Sequence, residues 1–191
     1  MKPTDYGRLS RRAALMGLAG GLVAAGMGGQ ALAAPSINSG KGAFRRIRFV
    51  NSRLQEQLDA VYWIDGEYVP EALQEISGIL RDWRADLVKP YHERALDVLA
   101  AAHARLDVDE PFEVVSGYRS PQTNAAMRQR SSGVARNSYH TRAMAVDVKL
   151  KNRSVRQIAG AAESLGAGGV GRYSRSNFVH MDCGPVRTWG A

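Results

Sequence analysis

His140 and Asp147 lie seven residues apart, one just before and one inside the apolar segment AMAVDVKL. A carboxylate in such a segment is costly to bury unless a charged partner or a cation compensates it. Side chains alternate faces along a strand, so Asp147 shares a face with Ala143 and Ala145, and the neighbouring valines occupy the other. The small alanines leave open space beside the carboxylate, as a binding site requires.

His180 directly follows another strand-like segment that begins at Phe178. On a strand next to that of Asp147 it would meet Asp147 and His140, which gives two imidazoles and one carboxylate. Catalytic zinc sites use three protein ligands of this kind and keep a fourth position open. The chain has neither an HExxH motif nor paired cysteines. The spacing alone therefore leaves a second possibility equally open, in which Asp147 forms a cap or a salt bridge and His140 is a loop residue.

The elements that position these residues predict an α+β domain, with a small, mostly antiparallel sheet and helices packed on one side. Strands are expected in FRRIRFVNS, LDAVYWIDGEYV, FEVVSGY, AMAVDVKL, GGVGRY and NFVHMDCG, with a turn at Asp65-Gly66. Helices are expected to begin at Pro70 and to cover 90–106, 121–130 and 155–165. His92 and His103 fall on the second helix, where an ordinary surface or hydrogen-bonded role is the simpler interpretation.

Residues 1–33 have the pattern of an export signal. The pair Arg11-Arg12 precedes an uncharged, glycine-rich apolar stretch, which ends in the small-residue cleavage pattern Ala31-Leu32-Ala33. The arginine pair is typical of signals read by the twin-arginine export machinery, so we expect a periplasmic protein. A membrane anchor is disfavoured because the stretch is short and diluted by glycine, and no stable anchor is expected after cleavage. Residues 34–43 are predicted to be a flexible leader before a catalytic domain at 44–191.

The basic charge of the chain narrows the class of partner. Its formal charge is +8, and loss of residues 1–33 removes four basic residues and one acidic residue, which leaves +5. A basic protein outside the cytoplasmic membrane meets the polyanionic wall rather than nucleic acid. Cys183 is the single cysteine, so the chain cannot form an internal disulfide even in an oxidising compartment.

Three segments in a fixed order together resemble a known family. They are SGYRS at 116–120, SYHTRAMAVDV at 138–148 and FVHMDCGPVRTW at 178–189. The family is the zinc D,D-peptidases of bacterial walls, which includes VanX-type dipeptidases, D-Ala-D-Ala carboxypeptidases and phage endolysins and shares its fold with the Hedgehog signalling domain. The tail VHxDxGPVRxW and the export signal are similar to those of its murein endopeptidase K branch. The resemblance extends over about residues 47–189.

This resemblance implies that His140, Asp147 and His180 bind one zinc ion. It implies a catalytic role for Arg119, which matches an arginine that contacts the substrate or polarises the scissile carbonyl. A guanidinium fixed by the tight turn at Gly117 is chemically able to stabilise a developing oxyanion.

The resemblance also assigns residues around the metal. Ser116, Ser138 and Tyr139 are expected to bind the substrate. Asp182 is expected near His180, as a carboxylate that either orients this ligand or transfers a proton in catalysis.

Two positions depart from the family pattern. Ala143 replaces a glycine, which is harmless if its φ is negative and strained otherwise. Asn177 stands three residues before the last ligand, where many relatives carry an acid that serves as general base. An amide cannot accept a proton from water in this way. We therefore expect Asp182 to serve as the general base.

The sequence therefore predicts a zinc-dependent murein endopeptidase that hydrolyses peptide cross-links of peptidoglycan, with stem peptides as its partner. One alternative retains zinc but cleaves the terminal D-Ala-D-Ala bond, as a carboxypeptidase or dipeptidase. The other is a non-catalytic wall-binding module with a structural zinc ion, which the amide at Asn177 would permit.

Overall fold

The computed structural model describes residues 44–190. The expected export signal and leader lie outside the described residues. The eight strands are β1 Phe44–Asn51, β2 Glu56–Ile64, β3 Glu67–Tyr68, β4 Phe112–Ser116, β5 Ala145–Lys149, β6 Gly169–Tyr173, β7 Phe178–Asp182 and β8 Arg187–Gly190. The four α-helices are α1 Pro70–Ile79, α2 Glu93–Leu106, α3 Pro121–Arg130 and α4 Val155–Glu163, and two 3₁₀ helices cover Tyr139–Arg142 and Ser174–Ser176.

All eight strands belong to one sheet in the order β3-β2-β1-β4-β5-β7-β6-β8. The pairs β1–β4 and β6–β8 are parallel, and the other neighbours are antiparallel. The predicted α+β class with a mostly antiparallel sheet is thus confirmed. The strands β5 and β7, which are distant in sequence, lie side by side in this sheet.

The register of the sheet places one residue from each of five strands in a single row. Asp147 pairs with Ser116 on β4 and with His180 on β7, His180 pairs with Gly171 on β6, and Gly171 pairs with Trp189 on β8. Residues paired across a sheet project from the same face. The row therefore defines one face of the sheet as the face that carries the site.

The opposite face of the sheet forms the hydrophobic core. Val146 and Val148 alternate with Asp147, Val179 and Met181 flank His180, and all four are buried. The helix α2 packs on β1 and β7, α4 packs on β6 and β7, and the two helices contact each other. Burial of this face fixes the register, because a slip by one residue would exchange its valines for the site residues.

Local sequence signals account for most element ends. Pro70 occupies the first turn of α1, and Ser154 and Gln157 form a capping box at the start of α4. Asp65 and Gly66 adopt positive φ values of 47° and 105° in the predicted turn between β2 and β3.

The start of one helix and the presence of one strand differ from the sequence expectation. The helix α2 begins at Glu93 rather than at Pro90, because the ring of His92 accepts a hydrogen bond from the backbone N–H of Arg94 and caps the helix. His92 is therefore a capping residue and not a helix-surface residue. The strand β8 is not predicted by the sequence, since its four residues RTWG carry no alternating apolar pattern. Among the described residues, no helix is both long and apolar enough to cross a bilayer.

Candidate metal centre

Three potential ligand atoms meet at one buried point. Nε2 of His140 lies 3.1 Å from Oδ1 of Asp147 and 3.1 Å from Nδ1 of His180, and the last two atoms lie 2.9 Å apart. All three residues are at most 8% exposed. The structure thus brings together the three residues that the sequence singled out, in a group able to hold a metal ion.

The chain places His140 through a short, well-defined turn. Ser138 caps the 3₁₀ helix Tyr139–Arg142 by accepting a hydrogen bond from the backbone N–H of His140. Ala143 ends this helix in a left-handed conformation and leads the chain into β5. One turn of helix therefore joins the imidazole to the strand that carries the carboxylate, which explains their separation of seven residues.

Hydrogen bonds on the outer side of each imidazole fix its tautomer. Nδ1 of His140 donates to the backbone carbonyl of Gly117 at 2.7 Å, and Nε2 of His180 donates to Oδ2 of Asp182 at 2.8 Å. The inner nitrogen of each neutral ring then presents a lone pair. Two lone pairs and a carboxylate oxygen face one another. Three acceptors with no donor between them do not stabilise such an arrangement, whereas a bound cation does.

The ionisation of Asp147 and His140 suits a cation site, whereas the two carboxylates around His180 favour the charged form of that ring. Burial opposes the charge of Asp147, but its contacts with His140 and His180 lower its pKa well below the ordinary value, so the carboxylate is ionised. Burial lowers the pKa of His140 and favours the neutral ring. The pKa of His180 is raised despite its burial, because Asp147 and Asp182 both favour positive charge there.

The donor set and its dimensions fit zinc. Zinc in proteins takes imidazole nitrogen and carboxylate oxygen at about 2.0–2.2 Å. Tetrahedral bonds of that length separate ligand atoms by roughly 3.3 Å, close to the spacing of the three atoms here. Three protein ligands are the number typical of catalytic zinc.

The site opens into a cavity of about 550 Å³. One wall is formed by the end of α3 and the loop that follows it, and the other by the aromatic residues of β6, β7 and β8. Residues of the first wall include Met127, Ser131, Val134 and Asn137, and those of the second include Tyr173, Phe178 and Trp189. Ser138 and Tyr139, two of the expected substrate-binding residues, also line the cavity.

Arg119 is anchored beside the site by two of its nitrogens. Its Nη2 donates to Oδ2 of Asp147 at 2.5 Å, and its Nε donates to Oγ of Ser116 at 2.8 Å. Arg119 lines the cavity, and its Nη1 has no hydrogen-bond partner among the described residues. Ser116 is buried beneath the arginine and does not itself line the cavity.

Asp182 lies behind His180 rather than in the cavity. Its Oδ1 accepts hydrogen bonds from the backbone N–H groups of Gly169 and Gly184. Both of its oxygens accept from Arg187, and Oδ2 also accepts from His180. Burial opposes its charge, but these donors hold the pKa of Asp182 at about 2. The carboxylate is thus surrounded by donors and faces the outer nitrogen of the ligand.

The two departures from the family pattern both fall in left-handed turns. Ala143 has φ 53°, so the strained case applies, at about 1–2 kcal/mol for a residue with a β-carbon. Asn177 has φ 52° and is exposed between β6 and β7. Asparagine tolerates this conformation better than most residues, and Asn177 is not among the residues that line the cavity.

Sequence reasoning gave no role to several residues that build the site. Arg187 and Trp189 stand in the tail motif, yet no chemistry was attached to them. The carbonyl of Gly117 and the rings of Tyr173 and Phe178 were also missed. Only Arg187 and Trp189 had a signal in the sequence, as members of the segment FVHMDCGPVRTW. The other contributions depend on the strand register.

The chain is similar in sequence to a known group of proteins. Residues 40–189 match the family model described as peptidoglycan L,D-endopeptidase MepK. The chain is 40% identical over 139 residues to the peptidoglycan L,D-endopeptidase MepK of Escherichia coli (strain K12), which covers 73% of this chain and 76% of that protein. It is 36% identical over 146 residues to the probable peptidoglycan L,D-endopeptidase MepK of Haemophilus influenzae, covering 76% and 78% of the two chains.

Proposed function

Because the chain belongs to the MepK family of peptidoglycan L,D-endopeptidases, we propose that it is a zinc-dependent hydrolase of peptide cross-links in peptidoglycan. The observation that carries this proposal is the convergence of two fixed imidazole lone pairs and a carboxylate oxygen at one buried point beside an open cavity. Membership of a peptidase family favours a hydrolytic role over a metal site that is purely structural.

In this proposal His140, Asp147 and His180 hold the zinc ion. When bound there, zinc supplies a Lewis acid and lowers the pKa of a water molecule so that it can attack near neutral pH. Arg119 is suited to act on the substrate, because Ser116 and Asp147 fix its guanidinium, the residue lines the cavity, and Nη1 has no hydrogen-bond partner among the described residues. We assign it the stabilisation of negative charge on the scissile carbonyl oxygen.

The remaining expected residues take supporting roles. We assign Asp182 the orienting role, since it faces the outer nitrogen of His180 and is saturated with donors. Ser116 supports Arg119 from below. Ser138 and Tyr139 line the cavity and are the candidates for direct contact with a stem peptide.

The proposed place of action is the periplasm. The arginine pair and the cleavage pattern in residues 1–33 support export by the twin-arginine machinery, and the relatives are named for an activity on peptidoglycan. The basic charge of the chain is compatible with a polyanionic wall.

Digestion of purified sacculi tests the proposal. Zinc-loaded protein is expected to convert cross-linked muropeptides into monomers, as measured by mass spectrometry of the released fragments. Release of single alanines with cross-links intact would instead identify the carboxypeptidase alternative. Cleavage of dimers joined through an L and a D centre should be compared with cleavage of dimers joined through two D centres. This comparison would show whether the chain has the bond preference that its relatives' name states.

Two histidine variants separate catalysis from wall binding. His140→Ala is expected to lose both bound zinc and cross-link cleavage, whereas His92→Ala removes an exposed capping ring and retains both. A wild-type protein that binds zinc and sacculi without turnover would contradict the proposal and leave the wall-binding module.

A further inference from the structure

We propose that Arg187 and Trp189 of the last strand are positioning residues that hold His180 in its ligating orientation. This inference rests on the proposed function only in taking His180 as a metal ligand. It assigns a role to the two tail residues for which the catalytic proposal has no use. Three observations carry it: a chain of hydrogen bonds, a ring contact and the glycines of β6.

Arg187 reaches His180 through Asp182. The guanidinium donates to Oδ1 of Asp182 at 3.1 Å and to Oδ2 at 2.6 Å, and the same Oδ2 accepts from Nε2 of His180 at 2.8 Å. Asp182 has no exposed side-chain surface, so Arg187 is the cation that balances its charge. A carboxylate held in this way keeps the proton on the outer nitrogen of the ring and the lone pair on the inner one.

Trp189 contacts the ring of His180 directly. The two ring centres lie 5.1 Å apart, and the indole N–H donates to the hydroxyl of Tyr173 at 3.1 Å. The guanidinium of Arg187 lies 5.0 Å from the ring of Trp189 and 5.0 Å from that of Tyr139. The indole of Trp189 therefore packs beside the imidazole of His180, and its contacts with Tyr173 and Arg187 hold the indole in place.

The glycines of β6 make these contacts possible. The strand β6 lies between β7 and β8, so side chains from β8 must cross it to reach β7. A β-carbon at Gly169 would lie 2.4 Å from Nη1 of Arg187, and one at Gly171 would lie 2.5 Å from the ring of Trp189. Glycine weakens a strand. The two glycines lie at alternate positions of β6 under these two side chains, which indicates that glycine is present there so that the side chains can cross the strand.

Substitution of Arg187 tests the hydrogen-bond chain. Arg187→Gln is expected to weaken zinc binding by about 10- to 100-fold, measured by competition with a chromophoric chelator. In the metal-free protein, at a pH high enough to keep His180 neutral, ¹⁵N NMR should show His180 in a single tautomer for wild type and in a mixture for the variant. Arg187→Lys should restore part of both. The matched control is Arg172→Gln, because Arg172 on β6 is equally exposed and forms an ion pair with Glu163 at the end of α4 rather than with a residue beside the ligands.

Gly171→Ala tests the ring contact without altering any hydrogen-bonding side chain. The new methyl group would displace the indole and is expected to weaken zinc binding by about tenfold, whereas Gly160→Ala, which meets no atom within 4 Å, should not. Zinc affinity unchanged within twofold in both folded site variants, with a single His180 tautomer, would overturn the inference. Because these readouts need no hydrolysis, they remain decisive even if wild type leaves cross-links intact, a result that would affect only the proposed function.

Discussion

Arg119, which lines the cavity, uses two of its three guanidinium nitrogens within the protein, and the third has no hydrogen-bond partner among the described residues. This division depends on the planar fork of arginine, which directs Nε and Nη2 to two different acceptors at once. A lysine at the same position offers one ammonium group. It could approach Asp147 or the substrate, but it could not hold Ser116 and Asp147 while presenting a further donor.

We therefore expect Arg119→Lys to lower kcat by about 100- to 1,000-fold, the usual effect of removing one oxyanion donor. Zinc affinity should fall by less than about tenfold, because the three ligands remain. Hydrolysis of a purified cross-linked muropeptide and a zinc titration measure the two effects separately. Ser116→Ala removes the Nε acceptor alone and should have a smaller effect on kcat. If the lysine variant retained wild-type kcat, the guanidinium would have no part in the chemistry.

The residues of the metal site differ in how far the sequence reveals them. His140, Asp147 and His180 were singled out because histidines are few and because a carboxylate in an apolar strand needs a charged partner or a cation, but only the family resemblance implied that all three bind zinc. The position of Asp182 behind its histidine could not be predicted in the same way. Whether a carboxylate two residues from a ligand faces the cavity or the next strand is decided by the local turn and by the donors of β6 and β8.

At the scale of elements, Asp82 joins the loop after α1 to the start of α3. Its Oδ2 accepts a hydrogen bond from the backbone N–H of Ser120 at 2.8 Å, and it is 1% exposed. Ser120 follows Arg119 directly, so this bond fixes the turn that carries the arginine proposed above to act in catalysis. Burial alone would raise the pKa of Asp82, but hydrogen bonds from Thr123 and Ser120 lower it below its ordinary value.

The sign of this pKa shift predicts a pH-dependent stability. A carboxyl group whose pKa is lowered by folding stabilises the protein above its unfolded pKa of about 3.9, and that contribution is lost as the pH falls below this value. Asp82→Asn should thus reduce the free energy of unfolding by about 1–3 kcal/mol at pH 7, with the difference from wild type shrinking below about pH 4. Urea unfolding at several pH values measures it.

Asp86→Asn is the matched control for this experiment, because Asp86 is exposed, lies in the same loop and has a left-handed backbone that asparagine tolerates. Its unfolding free energy should stay within about 0.5 kcal/mol of wild type at every pH. A difference between wild type and Asp82→Asn that stays constant down to pH 2 would mean that ionisation of Asp82 does not stabilise the turn.

The elements themselves were predicted in proportion to the strength of their local patterns. The helix at 155–165, the proline of α1 and the Asp65-Gly66 turn were all predicted near the observed bounds of their elements. The strand β8 was missed because it is held by parallel pairing with β6 and by side chains that cross β6, which are long-range contacts. A strand of this kind has no periodic signature of its own.

At the scale of the whole molecule, charge is distributed unevenly around the cavity. The segment 114–146, which supplies its α3 wall, carries five arginines and no acidic residue. Three of them, Arg128, Arg130 and Arg136, are exposed and form no ion pair with the described residues. Of the two acidic groups at the metal site, Asp147 is paired with Arg119 and Asp182 with Arg187. The three exposed arginines do not line the cavity themselves, but they are adjacent in sequence to Met127, Ser131, Ala135 and Asn137, which do. Unpaired cationic charge therefore lies beside this wall, where it favours a ligand that carries carboxylates.

This asymmetry predicts that sacculus binding is electrostatic and local rather than a result of net charge. Binding of wild type, measured by co-sedimentation, should weaken as salt is raised from about 0.05 to 0.5 M, because screening shortens the reach of exposed charges.

Replacement of Arg128, Arg130 and Arg136 by glutamine should weaken binding at low salt by roughly three- to tenfold, since exposed ion pairs contribute about 0.2–1 kcal/mol each. Replacement of Arg105, Lys151 and Arg156 removes the same charge from exposed positions that are not adjacent in sequence to any lining residue and should change binding less than twofold. Equal weakening by the two triple variants would mean that net charge alone attracts the wall, whereas the expected difference would place the attraction at the mouth of the metal site, where it would also orient the stem peptide before hydrolysis.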